Sequence, residues 1–263
     1  NYRKEFRQLG MQLNNRMNFS EWTDLYSKLV YWELQLDKIE DSGMSEIFEM
    51  QKKEANQLFC NFIEDNYLDW LNGVEDSPLF IHNVLKDRVF KSNNSGKTLV
   101  LVIDNLRFDQ WKTLEPVFNK YFVKENEEIV YSILPTATQY ARNAFFSGLM
   151  PSEIAKKHPQ YWKSEEDEGS KNQYEKELLE NNIKRLGKSS LRWSYNKITN
   201  VNAGKRLVEQ FHKLKENDIN FIVYNFVDML SHARTEMEVI RELADDESAY
   251  RSITMSWFEH SPL

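Results

Sequence analysis

Apolar residues in the first part of the chain recur three and four positions apart, the spacing of one helix face. Tyr2, Phe6, Leu9, Leu13 and Met17 make a first stripe. Trp22, Leu25, Tyr26, Leu29, Trp32 and Leu36 make a second, with Ser20 placed to cap its start, and Ile47, Met50, Ala55, Leu58, Phe59, Phe62, Ile63 and Trp70 make a third after Gly43. No proline precedes Pro78, so nothing breaks these periods. The pattern predicts a three-helix bundle over residues 1–75, with the aromatic and Met side chains as its core.

The pattern changes at Ser77-Pro78, which reads as the cap and first residue of a short helix to about Arg88. Thr98-Leu-Val-Leu-Val-Ile-Asp104 is a continuous β-branched and apolar run, the composition of a strand buried on both faces of a parallel sheet. Further strands are predicted over about 128–134, 191–197 and 219–227, and helices over about 108–118, 138–146, 172–186, 203–215 and 247–258. The acidic run Glu165–Glu168 reads as a solvated loop. Strands alternating with helices predict an α/β domain with a mostly parallel sheet over residues 76–263.

Charge and cysteine content narrow the function. The net charge is −7, and residues 1–75 hold 8 basic and 14 acidic side chains, a surface that phosphate backbones repel. The near-neutral remainder leaves room for a local anion site. One cysteine, Cys60, excludes an internal disulfide and a Cys-rich zinc site; between Phe59 and Phe62 it is expected to be a buried thiol. No apolar run approaches the roughly 18 residues of a membrane helix, and no signal peptide precedes the initial Asn, so a fragment of a longer cytoplasmic protein is expected.

Candidate chemistry lies where parallel strands end, the usual place for ligand groups in open α/β sheets. Asp104 follows one predicted strand, Thr136 and Thr138 another, and Asp228 the strand from Ile219. His232 follows Asp228 by four residues, so the pair can face one metal ion if the segment is helical. A strand-end aspartate is also a common helix cap, and Thr138 can equally be an N-cap. Arg142, one helical turn after Thr138, and Arg107, just after Asp104, could reach a bound phosphate or serve in salt bridges. His82, His158, His212 and His260 have no carboxylates at metal spacing and are expected at the surface.

Val102-Ile-Asp104-Asn-Leu-Arg107, Leu134-Pro-Thr-Ala-Thr138-Gln-Tyr-Ala-Arg-Asn-Ala-Phe-Phe-Ser-Gly148-Leu-Met-Pro151 and Asp228-Met-Leu-Ser-His232 resemble the PglZ branch of the alkaline phosphatase superfamily. Within it they are most similar to PorX-like response regulators of the type IX secretion system. The resemblance implies a bundle followed by the N-terminal part of a PglZ domain, truncated, with the receiver domain absent. It makes Thr138 the nucleophile and a zinc ligand together with Asp104, and it assigns Asp228 and His232 to a second zinc. A hydroxyl at a helix N-terminus suits an incoming phosphate, but it needs a metal to attack. The later Asp-His pair and final histidine of the superfamily do not follow His232, so this chain is expected to be inactive by itself.

Two functional readings follow from the resemblance. In the first, the full-length parent is a two-component response regulator whose output domain is a zinc-dependent phosphodiesterase or phosphatase, with nucleotide or oligonucleotide substrates. In the second, the chain is a non-catalytic signalling module that couples receiver phosphorylation to dimerisation and binds a secretion-system membrane component and a sigma factor.

Overall fold

The computed structural model describes residues 2–39, 42–74, 76–92, 96–164, 166–167 and 169–260. The chain forms two compact units, one of residues 1–78 with 125–129, the other of residues 79–124 with 130–263.

The first unit is built from α1 (Tyr2–Leu13), α2 (Phe19–Leu36) and α3 (Ser42–Leu71). Phe6, Leu9 and Leu13 of α1, Trp22, Leu25 and Leu36 of α2, and Phe48 and Ala55 of α3 form one core together with Met17. These are largely the residues the helical period selects. Aromatic pairs join the helices: Phe6 stacks on Phe48 at 5.7 Å and Trp22 meets Phe59 edge-on at 5.2 Å. The start of α2 differs from the expected Ser20. Asn18 is the cap: its Oδ1 accepts from the Glu21 N–H at 2.9 Å, and the Asn18 N–H donates back to Glu21 Oε2 at 2.8 Å. This reciprocal pair satisfies two otherwise unpaired amides. Cys60 is exposed, contrary to the expected burial. Its neighbours Phe59 and Phe62 face the core, and a helix turns the intervening position outward.

The second unit opens with a 3-10 turn, Ile81–Asn83, and a π-helical segment, Leu85–Val89, that runs into α4 (Phe90–Ser92). Ser77 and Pro78 therefore do not start the helix. Three parallel strands follow in the order β1 (Thr98–Ile103), β3 (Ile219–Tyr224), β2 (Trp193–Ile198). Both outer strands register on Ile219 of β3, through Thr98 and Trp193. β3 is the central strand and all six of its residues are buried. Its side chains alternate between two cores. Ile219, Phe221 and Val223 pack with Leu85, Phe90, Phe146, Leu179 and Ile183; Ile222 and Tyr224 pack with Ile198, Leu207 and Leu214.

β1 departs from the predicted double burial. It lies at one end of the strand order, and only Val100 and Val102 join the first core, while Leu99 and Leu101 point the other way and are exposed. Apolar composition reports what a strand can bury, and position in the sheet decides what it does bury. The strand predicted at 128–134 is also absent. That stretch makes a single bridge, Tyr131 to Phe80, with Ile81 N–H donating to Tyr131 O at 2.8 Å and Tyr131 N–H to Leu79 O at 2.9 Å. It pairs with a turn rather than with the sheet.

Helices flank the sheet: α5 (Phe108–Phe118), α6 (Thr138–Ser147), α7 (Pro151–Lys157), α8 (Glu175–Arg185), α9 (Val201–Glu209), α10 (Phe211–Leu214), α11 (Phe226–Glu236), α12 (Glu238–Leu243) and α13 (Glu247–His260). A 3-10 turn lies at Pro159–Tyr161. The helix expected at 203–215 is divided at Gln210 between α9 and α10. The acidic run 165–168 lies partly outside the described residues. No helix among the described residues is long and apolar enough to cross a membrane.

Candidate functional site

Strand β1 delivers Asp104 to its C-terminal end, where the Asp104 N–H donates to Tyr224 O of the central strand at 3.1 Å. Asn105 then takes φ +59°, a left-handed conformation that Asn tolerates better than most residues, and turns the chain towards α5. Asp104 is only 6% exposed. Burying a charge without a partner is costly, and the partner is Arg142. Arg142 Nη1 donates to Asp104 Oδ2, while Nε and Nη2 donate to Glu175 Oε1 and Oε2 at 2.6 and 2.7 Å. Glu175 is fully buried at the start of α8, and it also accepts from Tyr195 Oη at 2.6 Å and Lys197 Nζ at 3.3 Å.

Two carboxylates thus share one planar guanidinium, whose fork suits such two-sided recognition. Burial pushes the Asp104 carboxyl above the ordinary aspartate value; Arg142 opposes this, and the negative charges of Asp228 and Glu175 add to it. Burial alone would lower Arg142, but Glu175 and Asp104 together raise it. The Tyr195 hydroxyl is also raised, by burial and then by the Glu175 charge.

The remaining predicted residues gather around this pair to different degrees. Thr138 is the first residue of α6, after Ala137 at the cap position. It is partly exposed, and its carbonyl accepts from Asn172 Nδ2 at 3.1 Å. Thr138 and Arg142 are four apart and so share a face of α6; the Asp104–Arg142 pair therefore ties the end of β1 to the first turns of that helix. Asp228 lies in the first turn of α11, close enough for its charge to act on Asp104. His232, one turn later, has Nε2 3.7 Å from Asp228 Oδ1 and a side chain 68% exposed. The helical turn that the Asp-His spacing required is present.

Arg107 pairs with carboxylates other than Asp104. It is held by Asp109 and by Glu247, through Nη2 at 2.8 Å to the former and Nη1 to the latter. Of the other histidines, His260 ends α13 and is exposed, whereas His82 is half-buried, its Nδ1 has no partner, and burial lowers its pKa.

Glu175, Tyr195 and Lys197 were not legible as site residues. Glu175 looks like any acidic residue in a first helical turn, favourable to the helix dipole. Nothing in the sequence separates it from the nearby Glu177 or Glu180.

Residues 1–71 match the PorX response regulator linker domain, and residues 80–256 match the BREX system PglZ alkaline phosphatase-like domain. The chain belongs to the PglZ alkaline phosphatase-like family. With the linker domain before it, this PglZ chain has the organisation of a PorX-like regulator. No curated protein matches the chain.

Metal ions are typical of the alkaline phosphatase superfamily. The residues of this PglZ domain do not fit one as arranged. Among the described residues no three His, Cys, Asp or Glu side chains converge to hold an ion. Asp104 has a guanidinium where a cation would sit, and His232 reaches outward.

Proposed function

We propose that this chain is the output part of a two-component response regulator whose PglZ domain hydrolyses phosphate esters with Thr138 as nucleophile. The observation that carries the reading is the placement of Thr138 at the N-terminus of α6, one turn from the Arg142 that binds the Asp104 carboxylate. The N-terminal dipole favours an incoming phosphate and the developing negative charge on the hydroxyl oxygen. That oxygen would form the bond to phosphorus as the leaving alkoxide departs, and water would later displace the threonine. An aliphatic hydroxyl is too weak an acid to attack unaided. Zinc would supply that activation if Asp104, Thr138, Asp228 and His232 held it with further donors, an arrangement that requires Arg142 to release Asp104. Oligonucleotide substrates, a cytoplasmic location, dimerisation and a place in type IX secretion, with a membrane component and a sigma factor as partners, belong to the same proposal, on the strength of the PorX linker match.

Thr138→Val tests the core of the reading. Hydrolysis of a chromogenic phosphodiester by the full-length protein with zinc should fall by about a hundredfold or more. Unchanged turnover would exclude Thr138 as nucleophile.

A second reading has its own observation. Asp104 is already neutralised by Arg142, as suits a domain kept for partner binding. A Thr138→Val protein that retains both its partners and its full signalling output would favour that role.

A further inference from the structure

A cleft of about 550 Å³ opens beside the loop that follows Asp104. Asn105 and Arg107 form one wall and Ser231 and Arg234 of α11 another, with Arg241 of α12 and Tyr250 of α13 completing it. Arg107, Arg234 and Arg241 line this space with Asp245, and two carboxylates outside the lining, Asp109 and Glu247, pair with the first two arginines. That lining has the chemistry of an anion receptor.

Two of the arginines are held in place. Arg107 Nε and Nη2 donate to Asp109 Oδ1 and Oδ2 at 3.0 and 2.8 Å, and Arg251 Nη1 holds the same carboxylate at 2.7 Å. Arg107 and Arg234 both pack on the Tyr250 ring, 5.3 and 4.9 Å from its centroid. Each then presents Nη1 to one group, Glu247. Arg107 meets Oε2, and Arg234 meets Oε1 at 3.2 Å. The Glu247 side chain is 46% exposed, so solvent and solutes can reach the point where the two forks converge. Burial by itself would raise the Glu247 carboxyl, but Arg107 and Arg234 hold it below the ordinary value. Arg241 is exposed on the facing helix and has no ion pair among the described residues.

We propose that this cleft binds a phosphoryl anion, which takes the position of the Glu247 carboxylate between Arg107 and Arg234 while Arg241 meets an adjacent phosphoryl group. Glu247 is then an intrinsic plug, a carboxylate that satisfies the arginines until a ligand displaces it. Asn105 adjoins Asp104 and Ser231 adjoins His232, so one loop and one helix carry both this cleft and the residues assigned to hydrolysis. As a subsite for a phosphate that does not react, the cleft rests on the hydrolase reading; as an anion site it stands on its own geometry.

Pyrophosphate is the probe, titrated by calorimetry into the chain in metal-free buffer at constant ionic strength, with circular dichroism confirming that each variant is folded. Saturable binding is expected. Arg234→Gln and Arg241→Gln should each weaken it about tenfold, the effect of one lost charge-assisted hydrogen bond. Glu247→Gln should tighten it severalfold by removing the competing anion. Absence of saturable binding in both the wild type and Glu247→Gln overturns the proposal, as does affinity that neither arginine substitution changes. Weaker binding by Glu247→Gln overturns the plug. If Thr138→Val keeps full hydrolysis while the arginine-dependent pyrophosphate binding is retained, the hydrolase reading fails and the anion site stands.

Discussion

Replacing Arg142 by Met keeps the length and apolar stem of the side chain but removes the guanidinium from between Asp104 and Glu175. The two carboxylates are 7% and 0% exposed at their side chains, so neither recovers much hydration. Glu175 keeps Tyr195 and Lys197, and the uncompensated charge falls mainly on Asp104. Removing one partner of a buried pair costs about 3–5 kcal/mol, and that is the loss expected in urea unfolding near neutral pH. The loss should depend on pH. Arg142 is the cation that restrains the upward shift of Asp104, so without it the carboxyl titrates higher still, and each further unit is worth about 1.4 kcal/mol.

A carboxyl raised in the folded state contributes stability below its unfolded value and loses it as pH rises through the folded value. The Arg142→Met deficit should therefore be smallest in acid, below the unfolded value of about 3.9, and grow as pH rises through the raised folded value. Adding Asp104→Asn removes the stranded charge and should restore about 1 kcal/mol or more at pH 8. A deficit below about 1 kcal/mol that is also flat in pH, or no rescue by Asp104→Asn, would refute the account of Arg142 as the cation that makes this burial possible.

Two further outcomes test other parts of the structure. Leu25→Ala in the helical unit, at a fully buried position, should cost about 2–5 kcal/mol by denaturant unfolding, and a loss under about 1 kcal/mol would contradict that core. Asp109 has the opposite pH signature to Asp104: burial acts to raise it, but hydrogen bonds from Arg107 and Arg251 outweigh burial and lower it. Its stabilisation should be present above the unfolded value of about 3.9 and lost as pH falls through the lower folded value, so the advantage of the wild type over Asp109→Asn should shrink below about pH 4; an advantage that persists unchanged in acid would show that the ion pairs contribute nothing.

Most of the secondary structure was local enough to read from spacing. The stripes at Phe6, Leu9 and Leu13 and at Trp22 and Leu25, the apolar runs at Thr98 and Ile219, and the helix from Phe108 to Phe118 all appear as their period predicts, because a helix or strand must turn its apolar residues to one side wherever it packs. The Asp-x-x-x-His spacing likewise placed Asp228 and His232 on one helix face. What needed the folded chain were comparisons between distant segments. β1 and β3 have similar compositions, yet only β3 has a strand on each side; Leu99 and Leu101 are exposed, while Ile222 is buried against Ile198, Leu207 and Leu214. Residues 128–134 have strand composition, but their partner is the turn at Leu79–Ile81.

Cys60 shows the same limit within one helix: its neighbours fixed the face but not which positions the other helices cover. The decisive pairings of the site are longer in range still. Asp104, Arg142 and Glu175 come from three separate segments, and so do Arg107, Arg234 and Glu247. A charge in sequence has no partner until the chain folds; burial then makes one partner obligatory, and only the tertiary structure decides which.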